Sequence, residues 1–268
     1  PYLYKRYDTP FTRFHLMLIK KQVFNSVLIA LFLIITGCTE DQIIEVKLDS
    51  ALSTHFKLIQ DGKTGSVRVR LRQFMDRNGE SSQSLFLMGL SYHKEKRYSK
   101  SVEWFKKSVK TEKNVYPPVW HFLGWSYYYL GNSQKSKECF EKYIKLSPHE
   151  PDSLFALGLI AMDVGDFAMS ESLLNESISY AVDNAVIQAK AKARLADLAA
   201  ESGNWKQAIT LYEEAINQNE DLYEAWYRLS KVLLRMQKTD EAEKAFQEFQ
   251  LSRRRVRPDL DQTTRFPE

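Results

Sequence analysis

The chain has 268 residues, of which 44% are hydrophobic, so it is long enough for a folded domain and too apolar for wholesale disorder. Its 10 glycines and 8 prolines are too few for an all-β fold with many tight turns. The formal net charge of +4 arises before Cys38, and acidic and basic residues balance after it. A neutral body gives no general electrostatic reason to bind nucleic acid, so none is expected as a partner.

The first predicted element is a secretory signal sequence over residues 17–37. Lys20 and Lys21 form its positive start, and an apolar run follows that is too short to span a bilayer comfortably. Residues 35–38 are Ile-Thr-Gly-Cys, which resembles the lipobox of bacterial lipoproteins. An uncleaved N-terminal anchor or an ordinary signal peptide is the alternative. Residues 1–16 precede this element and are interpreted as a non-native upstream segment.

The lipobox resemblance implies a lipid anchor. Cleavage would come before Cys38, whose thiol and new amine would carry several acyl chains, enough for stable membrane attachment. Residues 38–47 would then form a lipid-anchored linker. Thr39, where enterobacterial lipoproteins retained at the inner membrane have Asp, implies the outer membrane and its periplasmic face.

A repeated motif occupies the next part of the chain. Residues 120–127 contain W-x2-L-G-x2-Y, followed by Phe140 and Pro148 at fixed distances. This pattern is similar to the tetratricopeptide repeat, a 34-residue helix–turn–helix unit, and it recurs from residues 82, 117, 151, 189 and 223. The resemblance implies an all-α, right-handed superhelix of five to six repeats over residues 82–256 and an upstream segment. The longest spacing, 38 residues, predicts one extra helical turn near residues 181–188.

Residues 48–81 are predicted to form a degenerate sixth repeat, because the 34-residue phase continues into them. Two features oppose this prediction. His55 stands where a small residue is usual, and residues 66–72 (SVRVRLR) alternate as a strand would. Helix is the favoured interpretation of this segment. At the other end, residues 257–268 are predicted to be a polar tail.

The tetratricopeptide resemblance implies that a partner peptide lies in the concave groove, on the first helix of each repeat. In this groove, the first four repeats of the chain present apolar and aromatic residues. The C-terminal third is mixed and charged, with Lys190, Asp197, Glu224 and Lys231 at groove positions and Arg194, Arg228 and Arg235 nearby. Chaperone-binding members use Lys and Asn to hold a terminal carboxylate, and no such clamp is predicted here. The predicted partner-binding residues are Phe56, Phe86, Leu90, His93, His121, Trp125, Tyr128, Phe155, Leu159, Met162, Tyr227 and Lys231.

No catalytic constellation, cofactor motif or metal-ligand spacing appears in the sequence, so the protein is not expected to be an enzyme or to need a cofactor or metal. Cys139, beside Phe140, is expected to be an inert packing thiol.

These features predict a non-catalytic scaffold, lipid-anchored at the periplasmic face of the outer membrane. It would hold an apolar peptide or helix of an envelope-assembly partner. In layout it resembles pilus-secretin pilotins and the accessory lipoproteins of β-barrel assembly. The alternatives are a structural homo-oligomer and an adaptor that recruits a cell-wall hydrolase. Tight winding of the superhelix, or residues 39–47, could also fill the groove from within the chain.

Overall fold

The computed structural model describes residues 47–111 and 115–258, and within these ranges all regular structure is helical. The helices are α1 (Ser50–Gln60), α2 (Thr64–Asn78), α3 (Ser82–Lys94), α4 (Tyr98–Thr111), α5 (Pro118–Tyr129), α6 (Ser133–Leu146), α7 (Pro151–Asp163), α8 (Phe167–Tyr180), α9 (Ala185–Glu201), α10 (Trp205–Gln218), α11 (Tyr223–Arg235) and α12 (Thr239–Val256). Within these described ranges, no helix is long and apolar enough to cross a membrane. The predicted upstream segment, signal sequence, Cys38 and most of the linker and tail lie outside them.

The helices form antiparallel pairs that stack in chain order into an all-α repeat superhelix. The pairs α3–α4, α5–α6, α7–α8, α9–α10 and α11–α12 correspond to the five predicted repeats. The pair α1–α2 precedes them, and α2 covers residues 66–72, so the helical interpretation of that segment is confirmed over the strand. The extra turn is also present, because α9 begins at Ala185, four residues before the repeat frame.

The turn inside each helix pair has the same backbone conformation at the same repeat position. The residue at this position has a positive φ angle. In four turns it is a glycine, the residue that tolerates left-handed geometry best: Gly62, Gly131, Gly165 and Gly203. In the two remaining turns the equivalent residues are Lys96 (φ 59°) and Gln237 (φ 60°). Residues 48–81 therefore share the turn geometry of the other five pairs.

Close packing within a pair depends on a small residue facing a large one. A Cβ atom added to Gly89 would lie 2.5 Å from the ring of Phe105, which is fully buried. Gly124 faces Phe140 in the same way, at 2.9 Å. A neighbouring buried serine supports this contact, since Ser136 Oγ donates to the carbonyl oxygen of Gly124 at 2.9 Å. The small residues predicted from the repeat pattern thus let the two helix backbones approach.

The hydrophobic interior is divided along the array rather than gathered in one place. An N-terminal cluster runs from Leu52 to Cys139, and a C-terminal cluster runs from Ala189 to Ala245. A smaller central cluster between them includes Phe155 and Leu159. Cys139 is a buried free thiol, and burial raises its pKa to about 12, so the predicted packing role is supported.

Candidate partner-binding cavity

A cavity of about 360 Å³ lies where the central and C-terminal clusters meet. Helices α5, α7, α9 and α11 line it, which are first helices of four successive repeats. The lining residues are Trp125, Tyr128, Tyr129, Phe155, Leu159, Lys190, Ala193, Arg194, Leu222, Glu224, Ala225 and Arg228. The wall formed by α5 and α7 is apolar and aromatic, whereas the wall formed by α9 and α11 carries most of the charge.

The aromatic wall is a packed set of rings on α5. The Trp125 indole stacks on Tyr129 with ring centroids 5.7 Å apart, and Tyr128 meets it edge-on at 5.6 Å. Tyr129 also stacks on Tyr98 at 4.5 Å, yet 52% of its surface is exposed. Large aromatic rings held at an accessible surface are typical of the energetic centre of protein interfaces.

A partly buried carboxylate fixes the orientation of the indole. Trp125 Nε1 donates to Asp152 Oδ2 at 2.9 Å, and His121 Nε2 lies 3.2 Å from the same oxygen. Burial alone would raise the pKa of Asp152, but the hydrogen bond from His121, the histidine charge and the hydrogen bond from Trp125 outweigh it, so the pKa is lowered. The carboxylate therefore stays ionised and holds the ring in place.

His121 is held from both ring nitrogens. Its Nδ1 lies 2.8 Å from Ser153 Oγ and 3.7 Å from Glu150 Oε2. Burial lowers the pKa of His121, but Asp152 and Glu150 together raise it above the ordinary value. His121 thus supports the aromatic wall from behind and does not line the cavity.

The opposite wall carries three cations and two acids. Lys190 and Arg194 lie one helical turn apart on α9, and Arg228 faces them from α11. Asp197 accepts from Arg194 at 3.0 Å and makes a very short contact with Arg228. Both arginine side chains are about 30% exposed, so part of each guanidinium remains accessible.

Four of the twelve predicted binding residues line the cavity: Trp125, Tyr128, Phe155 and Leu159. Phe86 and Leu90 do not, since each is only 2% exposed in the N-terminal cluster. Tyr116 and Phe122 cover the Phe86 ring, with centroids at 5.0 and 5.7 Å. The expectation that the open wall extends to Phe86 and Leu90 is therefore corrected: the chain itself fills the groove at these two positions.

The other predicted residues lie apart from the cavity. Phe56 packs half-buried on the N-terminal cluster, and Met162 packs on the central one. His93 is inside the stack, where its Nδ1 lies 2.9 Å from Ser126 Oγ. Tyr227 contacts Phe249 of α12 at 5.2 Å, and Lys231 is exposed with its Nζ 5.8 Å from the Tyr227 ring centre. On α11 the cavity wall is instead formed by Glu224, Ala225 and Arg228.

Tyr129 is the aromatic residue that the sequence prediction missed. It falls outside the repeat positions that are expected to line the groove. A helical spacing of four from Trp125 places the two rings on one face and could have indicated it.

In the described residues, no group of three or more His, Cys, Asp or Glu side chains has the arrangement needed to hold a metal ion. The cavity thus offers rings, aliphatic side chains and accessible cations, which bind through burial and charge.

The fold and this cavity define an α-helical repeat protein of the kind that binds other proteins. Models of the tetratricopeptide repeat match residues 82–114, 117–150 and 199–255, so the chain contains tetratricopeptide repeats. The pairs α1–α2 and α7–α8 lie outside the matched ranges. Tetratricopeptide repeat proteins are in general non-catalytic scaffolds. No curated protein matches the sequence in the comparison made.

Several solved structures share the fold at low sequence identity. The apo form of the quorum sensor NprR from B. thuringiensis has a TM-score of 0.68 at 13% identity, covering 77% of this chain and 65% of that one. The Pseudomonas aeruginosa protein pilF has a TM-score of 0.63 at 16% identity, and the match covers 79% of this chain and 92% of that one. The matching chain of the APC/C heterotetramer Cut9-Hcn1 has a TM-score of 0.65 at 17% identity, and the match covers 77% of this chain and 40% of that one. Such similarity supports the fold alone.

Proposed function

We propose that this protein is a scaffold that holds a segment of another protein in the cavity between α5, α7, α9 and α11. The observation that carries the proposal is the aromatic wall: Trp125 is fixed by Asp152, and Tyr129 stacks on it while half exposed. A ring held in one orientation loses little conformational entropy when a partner binds. The expected partner is a peptide or helix of an envelope-assembly protein.

The proposed location is the periplasmic face of the outer membrane. It rests on the sequence of residues 17–39, in which a short apolar run ends at a lipobox-like Cys38. A lipid-anchored scaffold would keep its partner at the membrane surface without an enzymatic step of its own.

Replacing Trp125 with alanine is expected to weaken partner binding at least about 30-fold, because truncating a central aromatic anchor typically costs 2 kcal/mol or more. A photoreactive amino acid at Tyr129 should crosslink to the partner in cells, and Trp125→Ala should abolish that crosslink. Trp125→Phe is the conservative variant, since it keeps one aromatic ring while it removes the donor to Asp152 and part of the indole surface.

A matched crosslinker at Phe167, which is 50% exposed at the start of α8, serves as the positional control. Its products should not depend on Trp125. Unchanged crosslinking from Tyr129 in the Trp125→Ala protein would rule out the cavity as the binding site. Products that contain only copies of this chain would support the homo-oligomer instead.

Cys38→Ala is expected to release the protein from membranes, because it removes the proposed acylation site. Cell fractionation measures the result, and Cys139→Ala is the matched control, since that thiol is buried within the fold. Continued membrane residence of the Cys38→Ala protein would contradict the lipid anchor.

A further inference from the structure

The two walls of the cavity differ in chemistry, and this difference specifies the occupant more closely. On one side lie the rings of α5, with Phe155 and Leu159 of α7 at 5% and 9% exposure. On the other side, α9 and α11 present Lys190, Arg194 and Arg228. An occupant therefore meets apolar surface on one face and cations on the opposite face.

The cations on that wall are only partly neutralised within the chain. Asp197 is shared, because Arg194 and Arg228 both contact its Oδ2 and Tyr212 donates to its Oδ1 at 2.5 Å. Lys190 is exposed at the cavity, and Glu224 adds one further negative charge. Three cations of this wall thus face two of its carboxylates. Asp152 of the opposite wall also acts electrostatically on Lys190, but its carboxylate is already bonded to His121 and Trp125. Among the described residues, Lys190 forms no ion pair within 4.0 Å. A third carboxylate from outside would complete the pairing without requiring a buried charge to be stripped of its partner.

We infer that the occupant is a peptide segment with apolar side chains on one side and at least one carboxylate side chain on the other. This inference rests on the proposed function and narrows its partner class. The apolar side chains lie on the surface that Trp125 and α7 form together, and the carboxylate lies against Lys190 and the accessible edge of Arg194. A cavity of about 360 Å³ is near the small end of the range for ligand pockets, which suits a few side chains of a longer segment.

The test is a selection of short random peptides displayed on phage against the purified full chain in detergent micelles. Wild-type protein should enrich peptides in which Asp or Glu neighbours Leu, Phe or similar residues. One enriched peptide is then synthesised, and its Kd is measured by fluorescence anisotropy. Lys190→Glu should weaken its binding about fivefold, the size expected for a partly exposed charge pair. Replacing the acidic residue of the peptide with Lys should restore binding to the Lys190→Glu protein.

The matched control is Lys206→Glu, which makes the same charge change at an exposed position of α10 outside the cavity. It should leave the Kd unchanged. Equal effects of Lys190→Glu and Lys206→Glu, enriched peptides without acidic residues, or no enrichment at all would each overturn the inference.

This inference and the proposed function can fail separately. Enriched peptides that are apolar but not acidic, and that lose binding in Trp125→Ala, would leave the cavity as the site and remove only its charge preference. Peptides that bind Trp125→Ala as well as wild type would remove both.

Discussion

Phe105→Ala is expected to lower the free energy of unfolding by about 3–5 kcal/mol, the usual cost of truncating a fully buried phenylalanine. The Phe105 ring is completely buried on α4, packs on Phe86 with centroids 5.9 Å apart, and sits against the backbone of Gly89. Urea unfolding followed by circular dichroism measures the change. The control is Phe167→Ala, which removes a ring that is 50% exposed and should change the free energy by about 0.5 kcal/mol or less.

Gly89→Ala tests the same contact from the other helix. Alone, it should destabilise the fold by about 1–3 kcal/mol, because the new methyl group would lie 2.5 Å from the Phe105 ring. In the Phe105→Ala protein the methyl group enters the vacated space, so the cost should disappear. Additive effects of the two substitutions would contradict the close approach of α3 and α4 at this point.

Stability is expected to fall by about 3 kcal/mol as the pH is lowered from about 6.5 to about 4, because of His93. Burial, with the nearby charges of His121 and Lys94, lowers the pKa of His93 from 6.5 to about 4. The unfolded chain therefore takes up a proton in this window before the folded chain does. The stabilisation from a neutral His93 is complete above pH 6.5 and is lost as the pH falls towards the folded pKa.

The raised pKa of His121 acts in a different window. Its contribution to the free energy of unfolding is fully present below pH 6.5, the pKa of the unfolded chain, and is lost as the pH rises through the pKa of the folded chain. Unfolding measured between pH 4.5 and 6.5 thus separates the effect of His93 from that of His121. Burial also lowers the pKa of His55, so His55 adds to the loss of stability in the same pH range. His93→Gln should reduce the pH dependence there by about the His93 contribution, whereas His149→Asn, at an exposed position beside Tyr180, should retain it. An equally steep dependence in His93→Gln would contradict the assignment.

The fold was predictable because the repeat pattern consists of local contacts. Gly89, Gly124 and Gly158 were visible as small residues at a fixed spacing from their large partners, and α9 showed its extra turn as a longer interval. The strand-like alternation of residues 66–72 was misleading, because helical packing needs only Val67 and Leu71 on one face. Val69, between them, is 52% exposed.

The site was predicted only in part, because its accessibility depends on how closely neighbouring repeats approach. The repeat positions placed Trp125 and Phe86 on the same wall. Tyr116 and Phe122 bury the Phe86 ring, whereas Trp125 still lines the cavity although four other rings contact it. The orientation of α11 matters equally. Arg228 lines the cavity, whereas Tyr227 contacts Phe249 of α12, and no periodic pattern resolves a one-residue difference of this kind.

The division of the interior has a consequence for how the molecule opens. Helices contact mainly their sequence neighbours, so terminal pairs can separate from the stack while the middle remains closed. The cavity lies on the boundary between the central and C-terminal clusters. A bound segment would touch both and act as a crosslink between parts that otherwise open independently. Occupancy would then slow amide hydrogen exchange well beyond the contact surface, throughout α10 and α12, which the segment never touches.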